Sequence, residues 1–426
     1  MQITGRLLFY TFLVLLPVQL GRHFWPEQSF VNGIRIDYLS PTIYATDILM
    51  FVLAIVWLYT IKRHQFFFTF LVAGIYIGMS TQNHHVLPTL AKILTLSEMI
   101  FLAVYIRTER PDVTVTGLCL CIASLWSSLL AWLQFATQHS LGEMWWFAGE
   151  RTFTVSTPGI ARILIEGNLM LRPYATFPHP NVLAGFLIIS SPLIYSSMRS
   201  AHIPQWLRYG AMFFIASIIL ISFSRSAWIA GILMVATTGI YVVSRQGITQ
   251  SVLMIFHHKK IILIASVCLA LLIPVFIQRF EELFTTDNQS ISHRVLLMSA
   301  ARSMVREHPI IGVGLNRFIP MLPQYISITS AGDLQPVHNV FLLVASETGA
   351  FGLGLFLFFG GKTYVNVWRA RKKSPYAFPF FLSLIALFVV GMFDHYIYTI
   401  HQTQLLVGII VGFSMNIDRQ SGKLTV

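Results

Sequence analysis

Arginine and histidine side chains gather in one long polar stretch between two membrane-length apolar runs. Residues 279–337 carry five arginines and no lysine, and they lead into His338 and Asn339 at the start of the next apolar run. A guanidinium group is planar and permanently charged, so it grips phosphate through two parallel hydrogen bonds. An imidazole can accept a proton from a hydroxyl group near neutral pH, and nearby arginines would keep it neutral. Together these residues predict a site that holds a diphosphate and moves a proton.

Composition indicates the environment of this site. The chain has 426 residues, of which 55% are hydrophobic and 11% are charged, and its mean hydropathy is +0.68. Apolar runs of such length cannot be hidden in a soluble core, so we expect an integral membrane protein. The formal net charge of +12 lies mostly in short connections between apolar runs, which excludes a nucleic-acid partner. The three cysteines fall within apolar runs and predict no disulfide framework.

The apolar runs predict an all-α integral membrane protein with about twelve transmembrane helices of roughly 20 residues each. We treat residues 1–426 as a single polytopic membrane domain, and no cleavage site follows the first run, so that run is expected to be retained. Lysine and arginine concentrate in alternate connections and at both termini, which predicts that these are cytoplasmic. The predicted spans are 7–21, 44–61, 66–83, 88–106, 113–136, 180–198, 207–223, 227–244, 260–278, 338–361, 377–393 and 401–416.

The remaining connections predict three external segments, at residues 22–43, 137–179 and 279–337. Apart from Lys92, near the start of the fourth predicted span, their basic residues are all arginines. Lysine would serve membrane orientation equally well, so its absence favours an anionic ligand on the outer face. The alternative, that an individual arginine merely pairs with an acidic residue of the same segments, remains open for each. These arginines are Arg22, Arg35, Arg151, Arg162, Arg172, Arg225, Arg279, Arg294, Arg302, Arg306 and Arg317.

Two of these arginines occupy positions that favour a functional role. Arg225 lies between two predicted spans with no room for a loop, so the chain reverses around a charge that must be solvated or paired. Arg294 lies near the start of residues 292–308, which predict an amphipathic helix capped by Ser292 and able to lie against the membrane. The predicted apolar stripe of this helix consists of Val295, Met298, Ala301 and Val305.

Further polar residues interrupt or border the apolar runs. Before the span that opens at Asn181, three prolines forbid a continuous helix, and His179 is expected near the outer surface; helix capping would explain Asn181 but not Arg172. The intramembrane acids must face protein or water. Glu347 lies nine residues after His338, which favours a structural hydrogen bond across helices. The acids concerned are Asp47, Glu98, Glu347 and Asp394, of which Asp47 and Asp394 could pair with Arg35, Arg225 or His395.

Four motifs follow one another over residues 172–361, and as a set they resemble the O-antigen ligase and O-antigen polymerase superfamily. The first 130 or so residues match it only as a hydrophobic profile. The motifs are Arg172-x-x-x-Thr-Phe-x-His-Pro-Asn-x-Leu-Ala-Gly, Ser-x-Ser-Arg225-Ser-Ala-Trp, Arg294 followed by His308-Pro-x-x-Gly-Val-Gly-Leu-Asn-x-Phe, and His338-Asn-x-x-Leu-x-x-x-x-Glu-Thr-Gly-x-x-Gly.

The resemblance implies a glycosyltransferase of the GT-C type. Such an enzyme takes a glycan from undecaprenyl diphosphate on the periplasmic or outer face of the inner membrane and joins it to a hydroxyl of a lipid or glycan acceptor, with inversion. It needs no metal or other cofactor. The arginines matching Arg225 and Arg294 hold the diphosphate, Arg172 is a third candidate, and the histidine matching His338 acts on the acceptor hydroxyl. The supporting candidates are His179, Asn339, Asp47 and Asp394.

The motifs leave the acceptor open. Ligase, polymerase and protein O-oligosaccharyltransferase share the donor chemistry and differ in what receives the glycan. A transporter or a flippase for lipid-linked glycans is a further alternative, but a transporter should show a repeat between its halves and polar groups near the midplane. This chain has no clear internal repeat, and its arginines cluster toward one surface.

Overall fold

The computed structural model describes residues 2–59, 86–165, 167–257, 273, 277 and 289–417. This part of the chain is mostly helical. The predicted spans 66–83 and 260–278 lie outside it, apart from residues 273 and 277. The helices are α1 Gln2–Leu15, α2 Ala45–Leu58, α3 Val86–Glu109, α4 Val113–Thr137, α5 Pro180–Ser200, α6 Gln205–Ile221, α7 Arg225–His257, α8 Gln289–Glu307, α9 Phe318–Met321, α10 Val340–Ala370, α11 Ala377–Phe393, α12 Tyr396–Thr399 and α13 His401–Met415.

Within the described ranges, five helices are long and apolar enough to cross a membrane, and the protein is therefore a multi-pass membrane protein. Shorter apolar helices accompany them, and each predicted span that falls on described residues coincides with a helix. Three spans differ clearly from the predicted bounds: α1 ends at Leu15, two residues before Pro17, where a proline disfavours helical geometry, and α7 and α10 continue to His257 and Ala370, past the predicted ends at 244 and 361. The five helices are Val86–Glu109, Val113–Thr137, Pro180–Ser200, Arg225–Gln250 and Val340–Ala370.

Three short antiparallel strand pairs, two of them hairpins, lie in or at the edges of the segments predicted to be external, and the all-α prediction did not include them. Strands of two to four residues are too short to show a two-residue periodicity. One hairpin does carry a sequence signal: Asn32 and Gly33 have φ values of 50° and 76°, as a tight turn between strands requires. The pairs are β1 Gly21–His23 with β4 Thr42–Tyr44, β2 Phe30–Val31 with β3 Ile34–Arg35, and β5 Arg162–Ile165 with β6 Asn168–Leu171.

Contacts between the connecting segments divide these segments into two groups, one at each end of the helices. In one group, Arg6 donates a hydrogen bond from Nη2 to the carbonyl of Glu109 at 3.4 Å, joining the start of α1 to the end of α3. In the other, the backbone N–H of Gln19 donates to the carbonyl of Ala148 at 3.0 Å, joining the residues after α1 to the segment after α4. The second group contains the three segments predicted to be external, as far as they are described. Which group faces the cytoplasm stays a prediction.

Helix α8 packs on protein through a face that matches the predicted stripe only in part: Ala301 is buried, and Met298 and Val305 are half-buried. Val295 is 60% exposed. The helix also begins at Gln289, so Ser292 lies inside it and is not its cap. The buried face points toward α10 and the β2–β3 hairpin, because these neighbours offer an apolar surface and so decide the rotation of the helix. Its fully buried residues are Leu297, Ala300, Ala301 and Met304.

Candidate functional site

His338 and Asp394 form a hydrogen-bonded pair at the end of the bundle that carries α8. Their Nδ1 and Oδ1 atoms are 3.3 Å apart, and their side chains are 19% and 7% exposed. A carboxylate accepts, so Nδ1 carries the proton and Nε2 is the ring nitrogen with a free lone pair. No hydrogen bond joins Nε2 to any described residue. This nitrogen can therefore accept a proton from a bound molecule.

Asn339 sets the spacing between these two side chains. It is the N-cap of α10, and its Oδ1 accepts the N–H of Leu342 at 2.8 Å. Its Nδ2 donates to the carbonyl of Met392 at 3.0 Å, in the last turn of α11. The first turn of the helix after His338 is thereby tied to the helix that ends just before Asp394.

The carboxylate of Asp394 is held by several donors. Its Oδ1 accepts the backbone N–H of His395 at 2.9 Å, and its Oδ2 accepts Nδ2 of Asn181 at 3.2 Å. Burial alone would raise the pKa of Asp394, but the hydrogen bond and charge of His338, with the charges of His395 and Arg294, hold that pKa well below its usual range. The residue is therefore an ionised partner for His338 at neutral pH.

Arg172 is a buried brace. It is 4% exposed, and its Nη2 donates to Oδ1 of Asn181 at 2.6 Å while its Nε donates to the carbonyl of Ser222 at 2.7 Å. The amide of Asn181 thus links Arg172 to Asp394, a role that sequence reasoning missed by treating Asn181 as a helix cap. His179 is the cap instead, since its Nδ1 accepts the N–H of Asn181 at 3.1 Å and Pro180 occupies the first helical position.

Arg294 reaches the same place from α8. Its Nη1 donates to the carbonyl of Phe393 at 3.0 Å, at the C-terminus of α11, where carbonyl groups lack helical partners. This is the only hydrogen bond of its guanidinium to residues that the structure describes. With respect to the described part of the chain, four of its five N–H groups are available to an anionic ligand beside Asp394.

Arg225 is the first residue of α7 and is half-buried. It follows Ser222, whose carbonyl Arg172 holds, after a tight reversal in which Phe223 has a φ of 53°. The next residue, Ser226, lies beside the hydroxyl of Tyr396, two residues after Asp394. The structure thus brings Arg172, Arg294 and His338 into one network of contacts. Helix α7, which begins at Arg225, starts next to that network.

Two further histidines border the pair but do not titrate near neutral pH. Burial, together with the charge of His338, lowers the pKa of His395 to about 3, and its Nδ1 lies 2.7 Å from the hydroxyl of Thr399. Burial and the charge of Arg172 lower the pKa of His179 to about 3. His338 is therefore the candidate proton acceptor of the group.

Two groups in the described ranges have the residue types of a metal site. In one, His338, Asp394 and His395 offer donor atoms within 4.8 Å of one another. Oδ1 of Asp394 already accepts hydrogen bonds from His338 and His395, whereas Oδ2 accepts only the amide of Asn181. In the other, which holds the supporting candidate Asp47, the Nε2 of His401 lies 2.8 Å from Asp47 Oδ1 and 2.9 Å from Glu98 Oε2. Asp47 also caps α2 at Tyr44, and its contacts are with this second group, away from the arginines.

Comparison with known proteins finds one matching family model over about a third of the chain. Residues 210–357 match the family model described as O-antigen ligase. The matched region contains Arg225, Arg294 and His338, and it ends before Asp394. No curated protein matches the chain. The match confirms the resemblance that the motifs predicted.

Proposed function

Because the chain carries an O-antigen ligase family domain at residues 210–357, we propose that it transfers a glycan from undecaprenyl diphosphate to an acceptor hydroxyl. The family domain supports a ligase- or polymerase-type glycosyltransferase that uses a lipid-linked glycan and an acceptor. Our proposal adds the donor, an extracytoplasmic site in the inner membrane, inversion at the anomeric carbon and independence of metals. It also includes about twelve spans of the GT-C type, with both termini in the cytoplasm.

One observation carries the proposal: an imidazole oriented by an ionised carboxylate lies beside a guanidinium with unused donors. The Nδ1 of His338 faces Asp394, and Arg294 binds the carbonyl of the residue before Asp394. A base and an anion-binding group within one network are what transfer from a diphosphate requires.

In the proposed reaction, Nε2 of His338 takes the proton of the acceptor hydroxyl as its oxygen attacks the anomeric carbon. The bond from that carbon to the diphosphate oxygen breaks, and the lipid diphosphate departs on the opposite face with the electron pair. The imidazolium that forms is stabilised by Asp394, which stays ionised. The glycan thus gains a bond to the acceptor and loses one to the lipid.

The arginines have two different tasks in this proposal. Arg225 and Arg294 hold the diphosphate and stabilise its growing negative charge, because a planar guanidinium group offers two parallel N–H donors to phosphate oxygens. Arg172 has two donors occupied by Asn181 and Ser222, so we assign it to positioning the amide next to Asp394 and the turn before Arg225. His179, as the cap of α5, and Asn339, as the brace to α11, support the same geometry.

A transfer assay tests the proposal directly. Purified protein is incubated with undecaprenyl diphosphate glycan and candidate lipid, glycan or peptide acceptors, with and without a chelator. We expect transfer to continue in the presence of the chelator and to disappear in His338→Ala. Transfer should persist in the control His308→Ala, since His308 is an exposed histidine within residues 279–337. Full transfer by His338→Ala would exclude that residue as the base, and the acceptor that reacts separates ligase from polymerase and protein glycosyltransferase.

Labelling of single cysteines tests the sidedness. Ser156 and Lys372 are exposed and lie in the two opposite groups of loops. In intact cells, a membrane-impermeant maleimide that has passed the outer envelope should label Ser156→Cys and spare Lys372→Cys. The reverse pattern would put the site in the cytoplasm and remove the lipid-linked donor from reach.

A further inference from the structure

Glu347 is a buried acid that the proposed chemistry does not use. It lies on α10, is 4% exposed and accepts the backbone N–H groups of Asn316 and Phe318. Tyr398 donates its phenol hydrogen to Oε2 of Glu347 at 3.3 Å, so the structural hydrogen bond predicted for this residue is confirmed. The carboxylate of Glu347 therefore fixes two elements. One is the turn formed by residues 312–317, before α9, and the other is the short helix α12.

Lys92 completes this arrangement from α3. It is the one lysine on the predicted outer side, it is 8% exposed, and its ammonium interacts electrostatically with Glu347. The ammonium also donates to the carbonyl of Tyr398 and lies 3.9 Å from the centre of that ring. A buried charge needs such a partner, because an unpaired ion is costly in an apolar interior.

The backbone around Glu347 is shaped to receive the turn. Gly349 interrupts the helical geometry of α10 with a φ of 63°, which frees carbonyl groups one turn earlier. The N–H of Val313 donates to the backbone carbonyl of Ser346 at 2.8 Å, and the N–H of Gly314 donates to the backbone carbonyl of Glu347 at 2.9 Å. A Cβ atom at Gly312 would collide with the backbone of Glu347, so this approach requires glycine.

The same turn is also tied to the start of α3. Thr89 donates its hydroxyl to the carbonyl of Leu315 at 3.0 Å, and Asn316 donates from Nδ2 to the carbonyl of Pro88 at 3.1 Å. Helix α3, the turn, α10 and α12 are thus fixed to one another around the carboxylate of Glu347, with Lys92 linked to it through Tyr398.

Three of the elements held at this point, the turn, α10 and α12, carry or border a residue of the candidate site. The turn follows α8, which carries Arg294, and α10 follows His338 directly. Tyr398 lies four residues after Asp394. We propose that Lys92, Glu347 and Tyr398 form a positioning clamp that keeps Arg294, His338 and Asp394 in register for the transfer reaction. The role in transfer rests on the proposed function, whereas the mechanical role does not.

A distance measurement tests the mechanical part without any assay of activity. Spin labels are placed at Ser299 on α8 and Phe388 on α11, which are both exposed, in the otherwise cysteine-free full chain. We expect one narrow distance distribution in the parent protein and a broadened or shifted one in Glu347→Gln and in Lys92→Met. The double variant Lys92→Met/Glu347→Gln should recover part of the narrow distribution, since it leaves no unpaired charge.

A control variant separates the clamp from general loss of stability. Glu98→Gln removes another buried acid from α3, whose partner is His401. It should lower the melting temperature and leave the distance distribution unchanged. If Glu347→Gln does not fold, Tyr398→Phe removes one hydrogen bond of the clamp and takes its place. Unchanged distributions in all clamp variants would overturn the proposal.

Transfer kinetics test the functional part. For Glu347→Gln we expect kcat to fall about tenfold or more while the KM for the donor changes little, since misplacement affects the reacting atoms more than lipid binding. The acidic limb of the pH profile should move to lower pH as His338 and Asp394 separate, and Glu98→Gln should not move it. A changed distance without any transfer by the parent protein would leave the clamp intact and reject the proposed function.

Discussion

The Nδ1 atom of His338 lies 3.3 Å from Oδ1 of Asp394, although the two residues are 56 positions apart in the chain. Asn339 maintains this distance by joining the start of α10 to the carbonyl of Met392 at the end of α11. The imidazole is therefore oriented by a carboxylate through Nδ1, and its Nε2 has no hydrogen-bond partner among the described residues. A substitution that keeps the shape of Asp394 and removes its charge should reveal what this pair does.

We expect Asp394→Asn to lower kcat about 100-fold or more, because the amide no longer stabilises the imidazolium or fixes its tautomer. Asp394 has a pKa held below its usual range, so it is ionised at neutral pH. Loss of this negative charge should therefore move the acidic limb of kcat/KM to lower pH. The measurement is a pH series of transfer rates, with Asp333→Asn as a second buried aspartate outside the site. Equal profiles for both variants would contradict the pairing.

The arginines predicted to bind the diphosphate can be tested by keeping their charge. Arg225→Lys and Arg294→Lys retain a cation but lose the planar fork, so we expect kcat/KM for the donor to fall about 10- to 100-fold. Arg302→Lys is the control, since Arg302 is exposed on the same helix as Arg294. Near-normal turnover in Arg225→Lys would mean that Arg225 serves only as an anchor at the membrane boundary.

The positions of the described helices were predictable from the sequence because hydropathy acts over long stretches, whereas the ends of α1, α7 and α10 were not. Helix α11 has the predicted bounds, and α13 differs by one residue. The motifs also singled out Arg294 and His338, whose residue types suit the proposed chemistry. Rotation of a helix was less accessible, as α8 shows: Val295 is exposed and Leu297 is buried, because the surface that receives the helix decides its inward face.

The residue types alone also did not distinguish a ligand from a brace. Arg172 was predicted to bind the donor, but its buried position and its bonds to Asn181 and Ser222 depend on three distant segments meeting. Asp47 was grouped with the site because it lies near the outer surface, yet its partner is His401. Such choices depend on tertiary contacts, which a single chain pattern does not contain.

The bracing role assigned to Arg172 makes its own prediction. Arg172→Lys cannot span both Asn181 and the carbonyl of Ser222, so we expect kcat to fall about tenfold and the melting temperature to drop, while the KM for the donor changes less than in Arg225→Lys. Steady-state kinetics and thermal unfolding of the two variants give the comparison. A rise in donor KM without loss of stability would return Arg172 to the group of diphosphate ligands.

The stability of residues 279–337, the segment predicted to be external, should depend on pH through Asp333. Although burial raises the pKa of Asp333, hydrogen bonds from the N–H groups of Thr329 and Ser330, the hydroxyl of Thr329 and the ring of His293 lower it to about 2. The folded pKa lies below the ordinary value of 3.8, so the contribution is full above pH 5 or so and is lost as pH falls through 2. A shift of this size corresponds to about 2 kcal/mol for this buried group.

Asp333→Asn should therefore lower the melting temperature at pH 7, and the difference from the parent protein should shrink as the pH is lowered from 5 to 3. Thermal unfolding in detergent at a series of pH values measures this difference. Asp37→Asn provides the control, because Asp37 is 70% exposed and pairs only loosely with Arg35 at 3.9 Å. A gap that stays constant with pH would show that the loss comes from the shape of the turn. A gap that closes toward acid would assign it to the ionised carboxylate, which links the 329–333 turn to α8 through His293.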